Sequence, residues 1–185
     1  MTATARGRHL KRILPVHLFI LVFLAAGLIA SGPSAAVAQG IERLGDFGNW
    51  SSFQFTENGN KACYMASQPK KSAGDYKKRG DVYAIVTHRP AEKLRDEVSV
   101  LAGYAYKEGS LAAVAIGDQS FELFTQGDGA WAKDKQADDA LVKAMIKGLD
   151  MVVKGTSSRG TETIDTYSLS GFTRAYEAIG KACGL

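Results

Sequence analysis

Few side chains in this 185-residue chain could support catalysis or bind a metal. Beyond residue 38 there is one histidine, His88, and there are two cysteines, Cys63 and Cys183. A Ser/His/Asp arrangement would have to use His88, but the G-x-S-x-G motif of a nucleophile elbow is absent from the sequence. Zinc needs three or four nitrogen or sulfur ligands, and one histidine with two cysteines that we expect to be bonded to each other cannot supply them. We therefore expect no enzymatic activity, no metal and no cofactor, and we interpret His88 as a surface or capping residue.

Acidic side chains are numerous, but their spacing does not indicate a catalytic pair. Asp96 and Glu97 are adjacent, so on a strand they would point to opposite faces. Asp138 and Asp139 fit the first turn of a helix, where negative charge is favourable. The segment Gly127-Asp128-Gly129 lacks the ligand spacing of a calcium loop and is typical of a plain turn. Hydrolysis by paired carboxylates is therefore unsupported. A hydrolase whose site the sequence does not show is left open as a third alternative for the function.

A basic cluster is the one local feature that suggests a ligand. Five positive charges stand within ten residues, at Lys70, Lys71, Lys77, Lys78 and Arg79. A positive patch of this kind attracts phosphates of lipopolysaccharide or another anionic surface. The alternative is a solvated loop whose lysines only maintain solubility. The overlapping tripeptide Arg79-Gly80-Asp81, which integrins recognise, is interpreted as a coincidence.

The first 38 residues have the pattern of a cleavable signal peptide. Four basic residues precede an apolar run over 13–30, and Ala36-Val37-Ala38 fits a peptidase site with cleavage after Ala38. An uncleaved anchor is the alternative, because eighteen residues are at the low edge of what spans a bilayer. Residues 39–185 carry equal numbers of acidic and basic residues, so the net charge of +4 belongs to the leader. Such a neutral domain is not expected to bind nucleic acid.

Export changes the interpretation of the two cysteines. In an oxidising compartment an isolated pair most often forms a structural disulfide, which here can only be Cys63–Cys183. The alternative is a reactive or metal-binding thiol. No C-x-x-C motif supports that alternative.

Short apolar runs separated by turn residues predict an antiparallel β fold. The predicted strands are 47–56, 62–66, 82–86, 98–104, 111–116, 121–124, 151–153 and 161–167, and residues 70–80 are predicted to form a loop. Helical spacing predicts a short helix over 137–147, with an apolar stripe of Leu141, Met145 and Leu149. A second, amphipathic helix is predicted over 171–183, with Ser170 as its N-cap. The predicted fold is mostly β, a single antiparallel β-sandwich domain over 39–185 with these two helices.

Three short motifs, taken in order, resemble a known family. They are Trp50-Ser51-Ser52-Phe53, Ala62-Cys63-Tyr64-Met65 and the stretch from Leu169 to Ala175. With the leader, they resemble the invasion-associated locus B family of exported bacterial proteins. The resemblance implies a periplasmic or secreted β-sandwich with a C-terminal helix and no established enzymatic activity. The second cysteine pair that many members carry is absent here.

From these observations we expect an exported, non-enzymatic protein with an envelope or host-interaction role. Its partner would be an envelope or host-surface component, without nucleic acid and without a stable membrane span after leader removal. The alternative is a small binding module that takes an anionic or glycan ligand through residues 70–79.

Overall fold

The computed structural model describes residues 40–185. The predicted leader over 1–38 and its cleavage site after Ala38 therefore lie outside the described residues. Within 40–185, neither helix has the length and apolar character needed to cross a bilayer.

Eleven strands of the described chain pair antiparallel into one continuous sheet. The first six are β1 (Glu42–Phe47), β2 (Trp50–Glu57), β3 (Asn60–Ser67), β4 (Lys71–Gly74), β5 (Tyr83–Arg89) and β6 (Leu94–Leu101). The other five are β7 (Leu111–Ile116), β8 (Gln119–Gln126), β9 (Gly129–Trp131), β10 (Asp150–Thr156) and β11 (Glu162–Ser168). The order across the sheet is β1-β2-β3-β5-β6-β9-β8-β7-β10-β11-β4. Two helices, α1 (Lys135–Lys147) and α2 (Phe172–Cys183), and a 3-10 turn (Pro90–Glu92) complete the described elements.

Alternation along the strands decides which face of the sheet is buried. In β7, Ala112, Val114 and Ile116 are buried, whereas Leu111 and its alternate neighbours are exposed. This period of two is the one that the backbone pleat imposes on side chains. Both helices pack on the sheet. α2 buries Phe172 and residues one and two turns further along the helix and contacts β1, β2, β3 and β5, whereas α1 contacts β6 and β8.

The two ends of the sheet approach each other, so the sheet is curled. The Trp50 ring nitrogen Nε1 donates a hydrogen bond to the Ser168 carbonyl oxygen at 3.0 Å. The Asn49 backbone N–H donates to the Ser170 carbonyl oxygen at 3.0 Å. Gly171 has a positive φ of 90°, and a Cβ there would overlap the Phe47 carbonyl. A glycine is therefore required where the first hairpin meets the start of α2.

The mostly antiparallel β fold with one internal and one C-terminal helix is confirmed. Every predicted strand overlaps an observed one, and both helices are present. The pairing joins all the strands into one sheet, and the two-layer sandwich stays a prediction.

The differences from the prediction have physical causes. β4 lies in the predicted loop because it is an edge strand exposed along its whole length, so it has no apolar alternation to detect. α1 begins two residues early, because the Asp134 carboxylate accepts the Ala137 N–H at 2.8 Å and caps the helix there. Leu149 lies beyond α1 and is 87% exposed, so its place in the predicted stripe is wrong. The N-cap of α2 is Gly171 rather than Ser170.

A disulfide joins the last residue of α2 to the third strand. Cys63 on β3 and Cys183 are bonded, with their Cα atoms 6.0 Å apart and a sequence separation of 120. Both residues are buried. The Lys61 ammonium donates to the Ala182 carbonyl oxygen at 3.1 Å beside this bond. The C-terminal helix is thus held on the first hairpin by covalent and polar contacts.

Replacing Cys63 and Cys183 together by alanine should lower the free energy of unfolding by about 2–5 kcal/mol, because the unfolded chain regains the entropy of a long loop. Urea unfolding of the oxidised protein and the double variant measures the difference. Wild-type protein treated with a reductant serves as the control and should lose a similar amount. Equal midpoints for all three samples would contradict a stabilising disulfide.

Candidate functional site

A cleft of about 510 Å³ opens between the loop after β4 and the turn of the β10–β11 hairpin. Lys77, Lys78 and Arg79 line one side, and Ser158 and Arg159 line the other. The segment that follows β6, residues 103–105, forms its base.

Backbone hydrogen bonds attach both walls of the cleft to the same segment. On the hairpin side, the Ser158 N–H donates to the Ala105 carbonyl oxygen at 2.7 Å. On the loop side, the Gly80 N–H donates to the Gly103 carbonyl oxygen at 2.8 Å. Gly103 has a positive φ of 70°, and a Cβ on it would overlap the Gly80 backbone. The spacing of the walls is therefore set by main-chain contacts.

A buried ion pair lies under the loop wall. The Arg79 guanidinium donates two hydrogen bonds to Asp165 on β11, at 2.7 and 3.2 Å, and the two side chains are only 7% and 4% exposed. Ser72 Oγ donates to the same carboxylate at 2.6 Å. Burial alone would lower the pKa of Arg79, but the hydrogen bond and charge of Asp165 outweigh burial and raise it. The positive charge of Arg79 is thus neutralised within the protein.

Aromatic rings surround this ion pair. The Arg79 guanidinium lies over the rings of Tyr76 and Tyr104, at 5.2 and 5.5 Å from their centroids. The Tyr104 hydroxyl forms a 2.7 Å hydrogen bond with Thr163 Oγ1. Burial raises the pKa of Tyr104, so its hydroxyl stays protonated at neutral pH. Arg79 and the two rings therefore form a fixed structural support for the loop and do not act as a mobile binding group.

The charges that face the cleft without a partner are those of Lys77, Lys78 and Arg159. All three are exposed, and within residues 40–185 none forms an ion pair. Asp75 is the acidic residue of the lining. The cleft consequently carries a positive surplus.

The predicted basic cluster is only partly assembled in this cleft. Lys70 lies outside the lining and pairs with Asp150 at 2.6 Å, and Lys71 belongs to β4 at the sheet edge. Arg79 is not available as a free cation, because Asp165 occupies its guanidinium, and binding of an anionic ligand through the cluster stays a prediction. Because this ion pair is buried, the Arg79 side chain of the Arg79-Gly80-Asp81 tripeptide is not exposed for recognition by an integrin. Arg159 was missed, because sequence alone does not show that its hairpin turn faces this loop.

A second polar cluster surrounds His88 between β5, β6 and α2. His88 is fully buried, so its interpretation as a surface or capping residue is wrong. Its Nδ1 accepts a 3.1 Å hydrogen bond from the Asp96 N–H. The Tyr176 hydroxyl donates to the Asp96 carboxylate at 2.6 Å, and Arg95 Nε lies 3.3 Å from the other carboxylate oxygen. Burial lowers the pKa of His88 and keeps it neutral, so the cluster fixes α2 to the sheet rather than forming an accessible base.

Asp138 attaches α1 to β6, the strand that carries Asp96. It lies in the first turn of α1, as predicted, and its carboxylate accepts the Val98 N–H at 2.9 Å. Burial raises its pKa to about 6. The neighbouring Asp139 instead pairs with Lys135 at 2.6 Å on the helix surface. The adjacent acids therefore have separate structural roles.

Comparison with known proteins gives one family and one solved structure. The model of the family described as "Invasion associated locus B (IalB) protein" matches residues 50–180. The crystal structure of invasion associated protein B from Bartonella henselae is similar, with a TM-score of 0.54 and 16% sequence identity. The match covers 75% of this chain and 95% of that chain, and at this identity it shows the fold alone. No curated protein matches the chain.

Acidification should destabilise the protein through His88. Because its folded-state pKa is lowered from 6.5, the unfolded chain binds the proton first. The stability that neutral His88 contributes is therefore complete above pH 6.5 and is lost as the pH falls below it, at up to about 1.4 kcal/mol per pH unit. His88→Asn keeps an acceptor near the Asp96 N–H and removes the titration. Urea unfolding between pH 7 and 5 should give a flatter pH dependence for this variant.

Asp138→Asn provides the control for this experiment, because its contribution has the opposite sign. The raised pKa of Asp138 means that the folded protein binds a proton before the unfolded chain does, so stability through this group rises as the pH falls through about 6. Removing Asp138 should therefore steepen the acid loss. Parallel pH curves for the wild type and His88→Asn would show that His88 does not titrate between the two states.

Proposed function

Because this chain belongs to the invasion associated locus B family, we propose that it is an exported protein of the bacterial envelope or host-contact surface that acts by binding and not by catalysis. The observation that carries the proposal is the family match over residues 50–180, combined with a disulfide that closes the same domain.

The disulfide supports export. Structural disulfides persist in the periplasm and outside the cell, whereas cytosolic thiols are kept reduced. The leader pattern over 1–38 supplies the route, with cleavage after Ala38 leaving residues 39–185 as the mature domain in the periplasm or the medium.

The positions of the reactive side chains support a non-enzymatic role. His88 is fully buried, with its Nδ1 hydrogen-bonded to Asp96, so it does not reach a substrate. Cys63 and Cys183 form a disulfide, so neither provides a free thiol. The groups most able to perform acid–base or nucleophilic chemistry thus stabilise the fold.

Export is tested by cell fractionation with mass spectrometry of the protein N-terminus. We expect a periplasmic or secreted species that begins at Gln39. Ala38→Leu should block processing because the peptidase requires a small residue there, whereas Val37→Leu, at the permissive middle position, should be processed normally. An intact 185-residue chain in the cytosol with both thiols reduced would contradict the proposal.

Binding of an anionic ligand through the basic cluster is the second candidate function. The observation that favours it is that Lys77 and Lys78 line the cleft and, within residues 40–185, have no acidic partner. Lys70 and Lys71 lie outside the cleft. They therefore provide an internal comparison with the same change in charge.

The double variant Lys77→Gln/Lys78→Gln should bind phosphatidylglycerol vesicles about tenfold more weakly at low salt. The reason is that two lysines without an acidic partner in the described part of the protein no longer contact the anionic surface. Lys70→Gln/Lys71→Gln should have a smaller effect. Vesicle co-sedimentation measures both, and wild-type binding should fall as added salt screens the charges. An equal effect of the two pairs, or no binding by the wild type, would contradict a role of the cleft.

A further inference from the structure

Arg159 adds a positive charge on the side of the cleft opposite Lys77 and Lys78. It stands on the β10–β11 turn, about 80 residues from Lys77 and Lys78 in sequence, yet all three line the same cleft. Cations on opposite walls of a cleft concentrate positive potential between them, whereas a solvated loop spreads its charge into water. The arrangement is therefore better suited to one anionic group held inside than to a diffuse surface contact.

The walls are arranged before any ligand binds. Ser158 and Gly80, one from each wall, are hydrogen-bonded to the 103–105 segment. The buried ion pair of Arg79 and Asp165 holds the loop wall from beneath. Because these contacts already exist, binding requires little ordering of the backbone.

The size of the cleft indicates a ligand larger than a simple anion. Its volume of about 510 Å³ falls in the range of small-molecule sites, roughly 300–1,000 Å³. Three cationic side chains suit the several oxygens of a phosphate better than a carboxylate, which one bidentate arginine can satisfy. The volume beyond the phosphate is large enough for an uncharged body.

The lining indicates that this body is hydroxylated. Ser158 and Thr161 contribute hydroxyl groups, which both donate and accept hydrogen bonds. Tyr76 and Tyr104 add ring surface, against which the apolar side of a sugar can pack.

We propose that this cleft binds a phosphorylated saccharide, with Lys77, Lys78 and Arg159 holding the phosphate and the Ser158 and Thr161 hydroxyls bonding to the sugar. The inference rests on the second candidate function above and specifies its ligand. The same chemistry is carried by a soluble sugar phosphate and by the phosphorylated sugar headgroup of a lipid.

Isothermal titration of protein produced with its own leader tests the proposal with three probes: glucose 6-phosphate, glucose and inorganic phosphate. Glucose 6-phosphate should bind most tightly, inorganic phosphate more weakly, and glucose too weakly to detect. Arg159→Gln should weaken binding of glucose 6-phosphate by about tenfold, since it removes a charge-assisted contact. Arg174→Gln is the matched control, because Arg174 is an exposed arginine on α2 outside the cleft lining. It should leave the affinity unchanged.

The outcomes separate this inference from the function on which it rests. Equal affinity for inorganic phosphate and glucose 6-phosphate would overturn the saccharide part. Binding of phosphatidylglycerol vesicles that depends on Lys77 and Lys78, without binding of glucose 6-phosphate, would overturn the inference and leave the anionic-surface function standing. Absence of both would overturn both. Equal losses of affinity for glucose 6-phosphate in Arg159→Gln and Arg174→Gln would contradict binding in this cleft.

Discussion

Trp50 occupies the place where the first and last parts of the chain meet. It is fully buried, its Nε1 donates to the carbonyl of Ser168, and its ring packs edge-on against Phe172 at 5.0 Å. These contacts hold the end of the last strand and the start of α2 on the first hairpin. The disulfide fixes the far end of the same helix to β3. This junction brings the first hairpin to the end of β11 and curls the sheet.

The distribution of charge in the cleft depends on a partner supplied from another strand. Asp165 neutralises Arg79 and converts it from a binding group into a support for the loop. Arg159, from the hairpin turn, adds a cation on the opposite wall. A linear run of five positive charges thereby becomes a cleft with three accessible ones.

The cysteine, histidine and aspartate side chains that could take part in catalysis instead attach the helices to the sheet. Cys183 and the His88 cluster hold α2, and Asp138 holds α1 on β6. Cys183 Sγ lies 3.9 Å from the His88 carbonyl oxygen, so the disulfide and the buried histidine share one region of the core. Such use of polar and sulfur groups fits a small domain, whose hydrophobic core alone provides limited stability.

The apolar runs of the strands and the amphipathic pattern over 171–183 predict the β fold and the C-terminal helix, because these patterns are local and follow the backbone periods. The family resemblance was likewise carried by short contiguous motifs, and the family match extends over residues 50–180. The sequence could not reveal β4, whose edge position removes the apolar signal, or the burial of His88. It also could not show that Asp165 neutralises Arg79 or that Arg159 faces Lys77. Those pairings join residues about 80 apart in sequence, and only the register and curl of the sheet decide which of them meet.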